Sequence, residues 1–217
     1  METEKLRVFD EFGQQIGEAS RKEVHQRGYW HETFHCWVVS RINGKDYIHL
    51  QLRSPLKKDF ANLFDITAAG HLTAEETVED GIREVEEELG LAVEFDDLIP
   101  LGTIKDQIHS EGFLDNERCH NFLYFATENL DAMLELQKEE VAGMAAVEFK
   151  AFAELCFGER TEIEAKGFKV ADDGSKKPIA LTIHVQDIVP HSSSYLEEVA
   201  KGITHVLEQR QNSFPGK

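Results

Sequence analysis

The chain has 217 residues, with 23 Lys and Arg against 41 Asp and Glu, a formal charge of −18. That excess of acid disfavours nucleic acid and anionic membrane surfaces as partners, because both are gripped by clustered Lys and Arg. At 41% hydrophobic and 9% aromatic residues the composition is that of a folded chain with a real core, in one domain or two.

The N-terminus, METEKLRVFDEFG, is acidic where a signal peptide needs a basic start and an apolar run. No stretch reaches the ~20 apolar residues of a membrane span. Phe34–Ile42 is apolar and β-branched, Asn43-Gly44 follows, and Tyr47–Leu52 is apolar again. This predicts a hairpin. A basic link, Arg53–Asp59, leads to Phe64–Gly70. Glu76–Leu89 is the most helical stretch, closed by Gly90 as the residue past a helix end. Cys119–Ala126 reads as a buried strand, and Ala145–Phe149 as a short strand entering a helix near Ala151–Cys156. Pro178–Ile188 alternates as a strand does, and Ser192 is placed to cap a last helix over Ser194–Gln209, with a frayed tail, NSFPGK. Interleaved strands and helices without a Gly-rich dinucleotide loop indicate a mixed α/β fold. The three cysteines, Cys36, Cys119 and Cys156, form no CxxC pair and read as reduced thiols, which with the N-terminus gives a cytoplasmic expectation.

The chemistry concentrates in Gly70–Leu91. Val78, Ile82, Val85 and Leu89 are spaced four, three and four, a single buried stripe. At 100° per residue, Glu84, Glu87 and Glu88 share an arc of roughly 100° away from it. Like charges at this spacing repel unless a cation lies among them, and carboxylate oxygens suit Mg²⁺ or Mn²⁺. A solvated acidic face is the bland alternative.

Arg83-Glu84-Val85-Glu86-Glu87-Glu88-Leu89-Gly90-Leu91 resembles the core of the Nudix box, G-x5-E-x7-R-E-U-x-E-E-x-G-U with U aliphatic. The upstream half is one residue short, so Glu75 or Glu76 takes the place of the box glutamate, and helical register favours Glu75. The resemblance implies one Nudix domain over 1–217, an α/β/α sandwich on a mixed sheet, with a core at about 8–160 and a C-terminal extension at 161–217. It implies hydrolysis of a small diphosphate compound with bound Mg²⁺ or Mn²⁺. By position, Glu84, Glu87 and Glu88 hold metal and Arg83 orients a box carboxylate. The implied catalytic set is Arg83, Glu87, Glu88 and Glu140, the last from Glu139-Glu140-Val141 before a strand read as the last of the sheet. Glu117 competes for the role of base. Arg53 and Lys57 are the candidate phosphate ligands, and Trp30, Trp37 and Phe64 candidate pocket aromatics.

Asp10–Gly13, His25–His31, Leu50–Ser54 and Ala69-Gly70-His71 are similar to the type I isopentenyl-diphosphate isomerases within the same superfamily. That similarity implies a second metal site at His25, His31, His71, Asp115 and Glu117. His35 and His49, on strands, read as structural. The isomerase's Cys-Gly-His motif is Ala69-Gly70-His71 here, and a methyl group cannot exchange a proton with an allylic carbon. The well-formed box points the same way, to hydrolysis. The alternatives are an isomerase using another thiol and a non-catalytic ligand-binding module. Packing a last helix, forming a homodimer contact and capping the pocket are all open roles for the extension.

Overall fold

The computed structural model describes residues 4–110, 113–126 and 130–213. Residues 214–217 of the expected frayed tail lie outside the described residues. The elements are β1 (Lys5–Phe9), β2 (Gln15–Ser20), α1 (Arg21–Arg27), β3 (Trp30–Ile42), β4 (Lys45–Arg53), β5 (Phe64–Asp65) and β6 (Ala68–His71). After a 3₁₀ turn at Glu79–Ile82 come α2 (Arg83–Leu89), β7 (Ile99–Ser110), β8 (Phe113–Ala126), α3 (Leu130–Met133) and β9 (Val141–Glu148). α4 (Phe149–Cys156), β10 (Glu162–Val170), β11 (Lys176–His184) and α5 (Ser193–Ser213) complete the order.

The described strands form one eleven-stranded sheet along β11-β10-β9-β4-β3-β1-β2, with β5 on β4, β6 and β8 on β3, and β7 on β8. β3 and β8 are parallel and the other named pairs antiparallel, so the sheet is mixed. β9 is not the last strand, as β10 and β11 follow it. The β3–β4 hairpin turns on Asn43 (φ 51°) and Gly44 (φ 79°), the two positive-φ positions of the turn that matches strand twist.

β3 carries the architecture. Its near-continuous apolar run is covered on both faces, as expected of a central strand. Phe34, Cys36 and Val38 pack with Val85 and Leu89 of α2 on one side. Trp37 and Val39 pack with Phe152 of α4 and Tyr195, Val199 and Ile203 of α5 on the other. The result is the α/β/α sandwich expected of the sequence. Trp37 and Phe64 belong to this core rather than to a pocket. Among the described residues no helix is long and apolar enough to cross a membrane.

The expected helix over Glu76–Leu89 starts later. Thr77 and Asp80 cap each other, Asp80 Oδ2 accepting from Thr77 N (2.8 Å) and Thr77 Oγ1 from Asp80 N (3.3 Å). This reciprocal cap fixes Thr77 outside the helix. The turn that follows is 3₁₀, which rises more per residue than an α-helix and so spans the connection with one residue fewer. Gly90 ends α2 with φ 65°, as expected.

Sequence reading did not anticipate β1, β2, α1, β7 or β10. α1 is capped by Ser20 and closed by left-handed Gly28, and it carries His25. Ser192 does cap α5, its Oγ accepting from Tyr195 N (3.3 Å). Ile203 is fully buried in the α5 face, so Ile203→Ala is expected to cost about 2–5 kcal/mol in urea unfolding. A loss under ~1 kcal/mol would mean that α5 does not share this core.

Candidate active site

Two groups of acidic and imidazole side chains flank β6. The first is the box face of α2. Glu88 is buried; its Oε2 accepts from Ala69 N (3.1 Å) and Gln51 Nε2 (3.3 Å). Burial, with Glu84 and Glu140 nearby, pushes its carboxyl up to about 8. Glu84 rests against Gly70, where any Cβ would collide with its carboxylate. Burial raises it to about 7, against the pull of Arg83. Glu87 is exposed.

Arg83 ties the group together. Its Nη1 donates to Glu84 Oε1 (2.6 Å) and Glu87 Oε2 (3.1 Å), its Nη2 to the His71 carbonyl (3.2 Å) and Glu76 Oε2 (3.0 Å), and its Nε to Glu76 Oε1. The glutamate that answers Arg83 is therefore Glu76. The expectation of Glu75 is corrected, because the 3₁₀ turn shifts the register and leaves Glu75 exposed.

Two cations of the basic link, Lys57 and Arg53, have different fates. Lys57 pairs with Glu140, and both act electrostatically on Glu88. Arg53 is engaged elsewhere: Nη1 donates to Asp65 Oδ2 (2.7 Å) and Nη2 to the Asp59 carbonyl (3.0 Å). It braces the loop containing Phe60 and Asn62, both at positive φ.

The second group lies on the α5 side of β3. Parallel pairing sets His31 opposite Glu117, and β6 brings His71 opposite Thr33. Ligand atoms of His25, His31, His71 and Asp115 lie within 4.8 Å of one another. Asp115 Oδ1 is 3.3 Å from His25 Nε2 and 3.4 Å from His31 Nε2; Glu117 Oε1 is 4.0 Å from His31 Nε2. Asp115 Oδ1 and the Nε2 atoms of His25, His31 and His71 are buried without a hydrogen-bond partner among the described residues. His31 Nδ1 donates to the Tyr29 carbonyl (3.1 Å), which leaves its Nε2 lone pair facing the cluster. Burial and the Arg21 charge hold His71 well below the usual imidazole range, hence neutral. Burial and Glu117 raise Asp115. Burial opposes ionisation of Glu117 too, but contact with His35 and the other imidazoles outweighs it and lowers its pKa. Separations of 3.3–3.4 Å exceed good hydrogen bonds yet match the edges, about 3.0–3.4 Å, of a coordination shell with ~2.1 Å bonds. The donor set thus fits a divalent ion.

Three features were not legible in the sequence. His35, read as structural, approaches Glu117 Oε2 at 3.5 Å. Tyr195 of α5 reaches His35. His191 is clasped between Asp106 (2.6 Å) and Asp65 (2.9 Å), the latter shared with Arg53. His49 is structural as expected, with Nε2 2.8 Å from Ser40 Oγ. Ala69 faces His35 in the β3–β6 pairing, with the thiols of Cys36 and Cys119 buried nearby. Burial pushes Cys36 up to about 12 and Cys119 well above the thiol range.

The family profile of the NUDIX domain matches residues 30–169. The chain belongs to the Nudix family. An uncharacterised Nudix hydrolase of Clostridium acetobutylicum is 38% identical over 203 residues, covering 94% of this chain and 98% of that protein. An isopentenyl-diphosphate Δ-isomerase of Corynebacterium diphtheriae is 30% identical over 154 residues, 68% of this chain and 80% of that enzyme. Among solved structures, a Deinococcus radiodurans protein, DR0079, shares the fold with a TM-score of 0.51 at 18% identity, covering 71% of this chain and 90% of that one. The matched segment ends before His191 and Tyr195.

Because His191 is raised from 6.5 to about 10 by hydrogen bonds and charge from Asp106 and Asp65, against burial, its contribution to stability is fully present below about pH 6.5. It is lost as pH rises through about 10. Asp65, lowered to about 2 against burial by His191 and Arg53, contributes in the opposite limb, lost as pH falls towards 2. Unfolding free energy is expected to fall from pH 6.5 to 10, and this slope to flatten in His191→Gln. Equal slopes in both proteins would show that the histidine is not held as a cation.

Proposed function

We propose that this Nudix protein hydrolyses the diphosphate linkage of a small nucleoside-diphosphate or other diphosphate compound. The observation that carries the reading is the gathering of Glu84, Glu87 and Glu88 on one face of α2, with Glu88 buried and Glu84 half-buried, both raised by burial against the pull of Arg83 on Glu84 and of Lys57 on Glu88. In this reading Glu84, Glu87 and Glu88 hold Mg²⁺ or Mn²⁺, and His25, His31, His71, Asp115 and Glu117 hold a second divalent ion. Bound there, such ions supply Lewis-acid polarisation of phosphoryl oxygens and acidify water.

The protein's own groups do the remainder. Arg83 holds Glu84 and Glu87 in one geometry and anchors the loop at Glu76 and the His71 carbonyl. The Ala69 amide fixes the inner oxygen of Glu88. Glu140 takes the proton of the attacking water, and Lys57, its partner, turns to the substrate phosphate when Glu140 is engaged. Arg53 supports this loop and adds positive charge behind it. The chain acts as one domain, the extension contributing α5 to the core and to the floor of the imidazole cluster.

The competing reading is isomerisation of an allylic diphosphate, favoured by the complete imidazole cluster and by the isomerase relative. Ala69 opposes it. The test is cleavage with Mg²⁺ and with Mn²⁺ across nucleotide sugars, dinucleotides, oxidised nucleotides and isoprenoid diphosphates, followed by chromatography of the phosphomonoester products, each reaction also examined for isomerised isopentenyl diphosphate. Metal-dependent cleavage is expected, with Glu87→Gln and Glu88→Gln each losing about 10²-fold or more in kcat. Isomerisation without cleavage would overturn the hydrolase reading.

A further inference from the structure

Trp37, Asn121, Tyr195 and His35 form a buried chain whose proton positions follow from donor chemistry. An indole N–H only donates. Trp37 Nε1, at 3.1 Å, therefore fixes Asn121 Oδ1 as the acceptor, while Asn121 Nδ2 donates to the Cys119 carbonyl (2.9 Å). The Tyr195 hydroxyl, 2.8 Å from the same Oδ1, must donate to it. A hydroxyl has one hydrogen, so His35 Nδ1, 2.7 Å away, donates to the tyrosine oxygen. With Nδ1 engaged by the tyrosine, the ring nitrogen left for a ligand is Nε2, which points at Glu117 Oε2 at 3.5 Å. Cys119 Sγ is also 3.5 Å from that oxygen, and the three ligand atoms lie within 4.8 Å of one another.

We propose that His35, Glu117 and Cys119 form a further metal position, for an ion of the Zn²⁺ class. Imidazole with thiolate is the softer donor set that selects Zn²⁺ over Mg²⁺. Glu117 is shared: Oε1 faces His31 of the imidazole cluster and Oε2 faces His35 and Cys119, so its carboxylate bridges two positions. Only this sharing rests on the cluster reading above. Tyr195 is the outer partner that fixes the ligating tautomer of His35. On binding, the Cys119 S–H bond breaks, the proton leaves to solvent and a metal–sulfur bond forms, with no change in oxidation state. Thr33 Oγ1, 3.5 Å from Glu117 Oε2, donates at the edge of the position.

Co²⁺ distinguishes this position from the others, because the box and the imidazole cluster offer only nitrogen and oxygen. Chelator-treated full-length protein titrated with Co²⁺ is expected to develop a thiolate-to-cobalt charge-transfer band in the near ultraviolet. The band should vanish in Cys119→Ser, need at least tenfold more Co²⁺ in His35→Gln, and persist in Glu87→Gln. Near-ultraviolet circular dichroism of the metal-free variants checks their folds, and Cys119→Ala serves if the serine variant unfolds. Absence of the band while dialysis shows Co²⁺ bound in a manner lost in His71→Gln would overturn the proposal and leave His35 as a hydrogen-bond donor to Glu117. A band that survives Cys119→Ser would overturn it as well. Absence of any Co²⁺ binding would overturn both the proposal and the imidazole cluster, while leaving hydrolysis at the box to its own assay.

Discussion

Two carboxylates of one helix are held out of water at the same strand, and this end of the molecule is organised around that cost. Burial raises Glu84 and Glu88 into the neutral range. What holds them there is backbone, one side-chain amide and one guanidinium: the Ala69 amide and Gln51 on Glu88, the bare Cα of Gly70 beneath Glu84, and Arg83 reaching both α2 and the preceding loop. Removing a partner from such a group leaves an uncompensated buried charge, which costs more than a lost surface pair. The 3₁₀ turn and the Thr77–Asp80 cap serve the same end, since they deliver Arg83 to Glu76 despite the short connection.

The α5 layer extends this logic to the other side of β3. Its apolar face completes the core with Trp37 and Phe152, while its first turn carries polar groups inward. His191 joins β5 and β7 through Asp65 and Asp106, and Tyr195 joins β3 and β8 through His35 and Asn121. The segment entering α5 and the first turn of the helix thereby couple the loop braced by Arg53 to the strands that carry the imidazoles.

Much of this was legible in the sequence where the signal is local. The Asn43-Gly44 turn, the α2 stripe and Gly90 follow from period and turn chemistry. The box glutamates and the imidazole set were legible through family resemblance. What escaped is non-local or locally ambiguous. β1 is only five residues long, β2 is largely exposed, and the buried alternation of β7 over Ile104, Asp106 and Ile108 passes through an aspartate. Glu75 and Glu76 differ only through a turn whose pitch no spacing rule reports. His35 resembles any strand histidine until β8 sets Glu117 and Asn121 beside it. Arg53 reads as a phosphate ligand because it lies in a basic cluster with Lys57, and its partners Asp65 and the Asp59 carbonyl meet it only once the loop folds back.

Gly70 and His71 are consecutive residues, yet the first underlies a box glutamate and the second enters the imidazole cluster. The offset between the two ligand sets is therefore written into a single peptide unit, whose Cα atoms are ~3.8 Å apart across a planar bond. β6 thus acts as a molecular ruler: the spacing of the two charged groups is set by the strand that carries both residues and not by the loops around it.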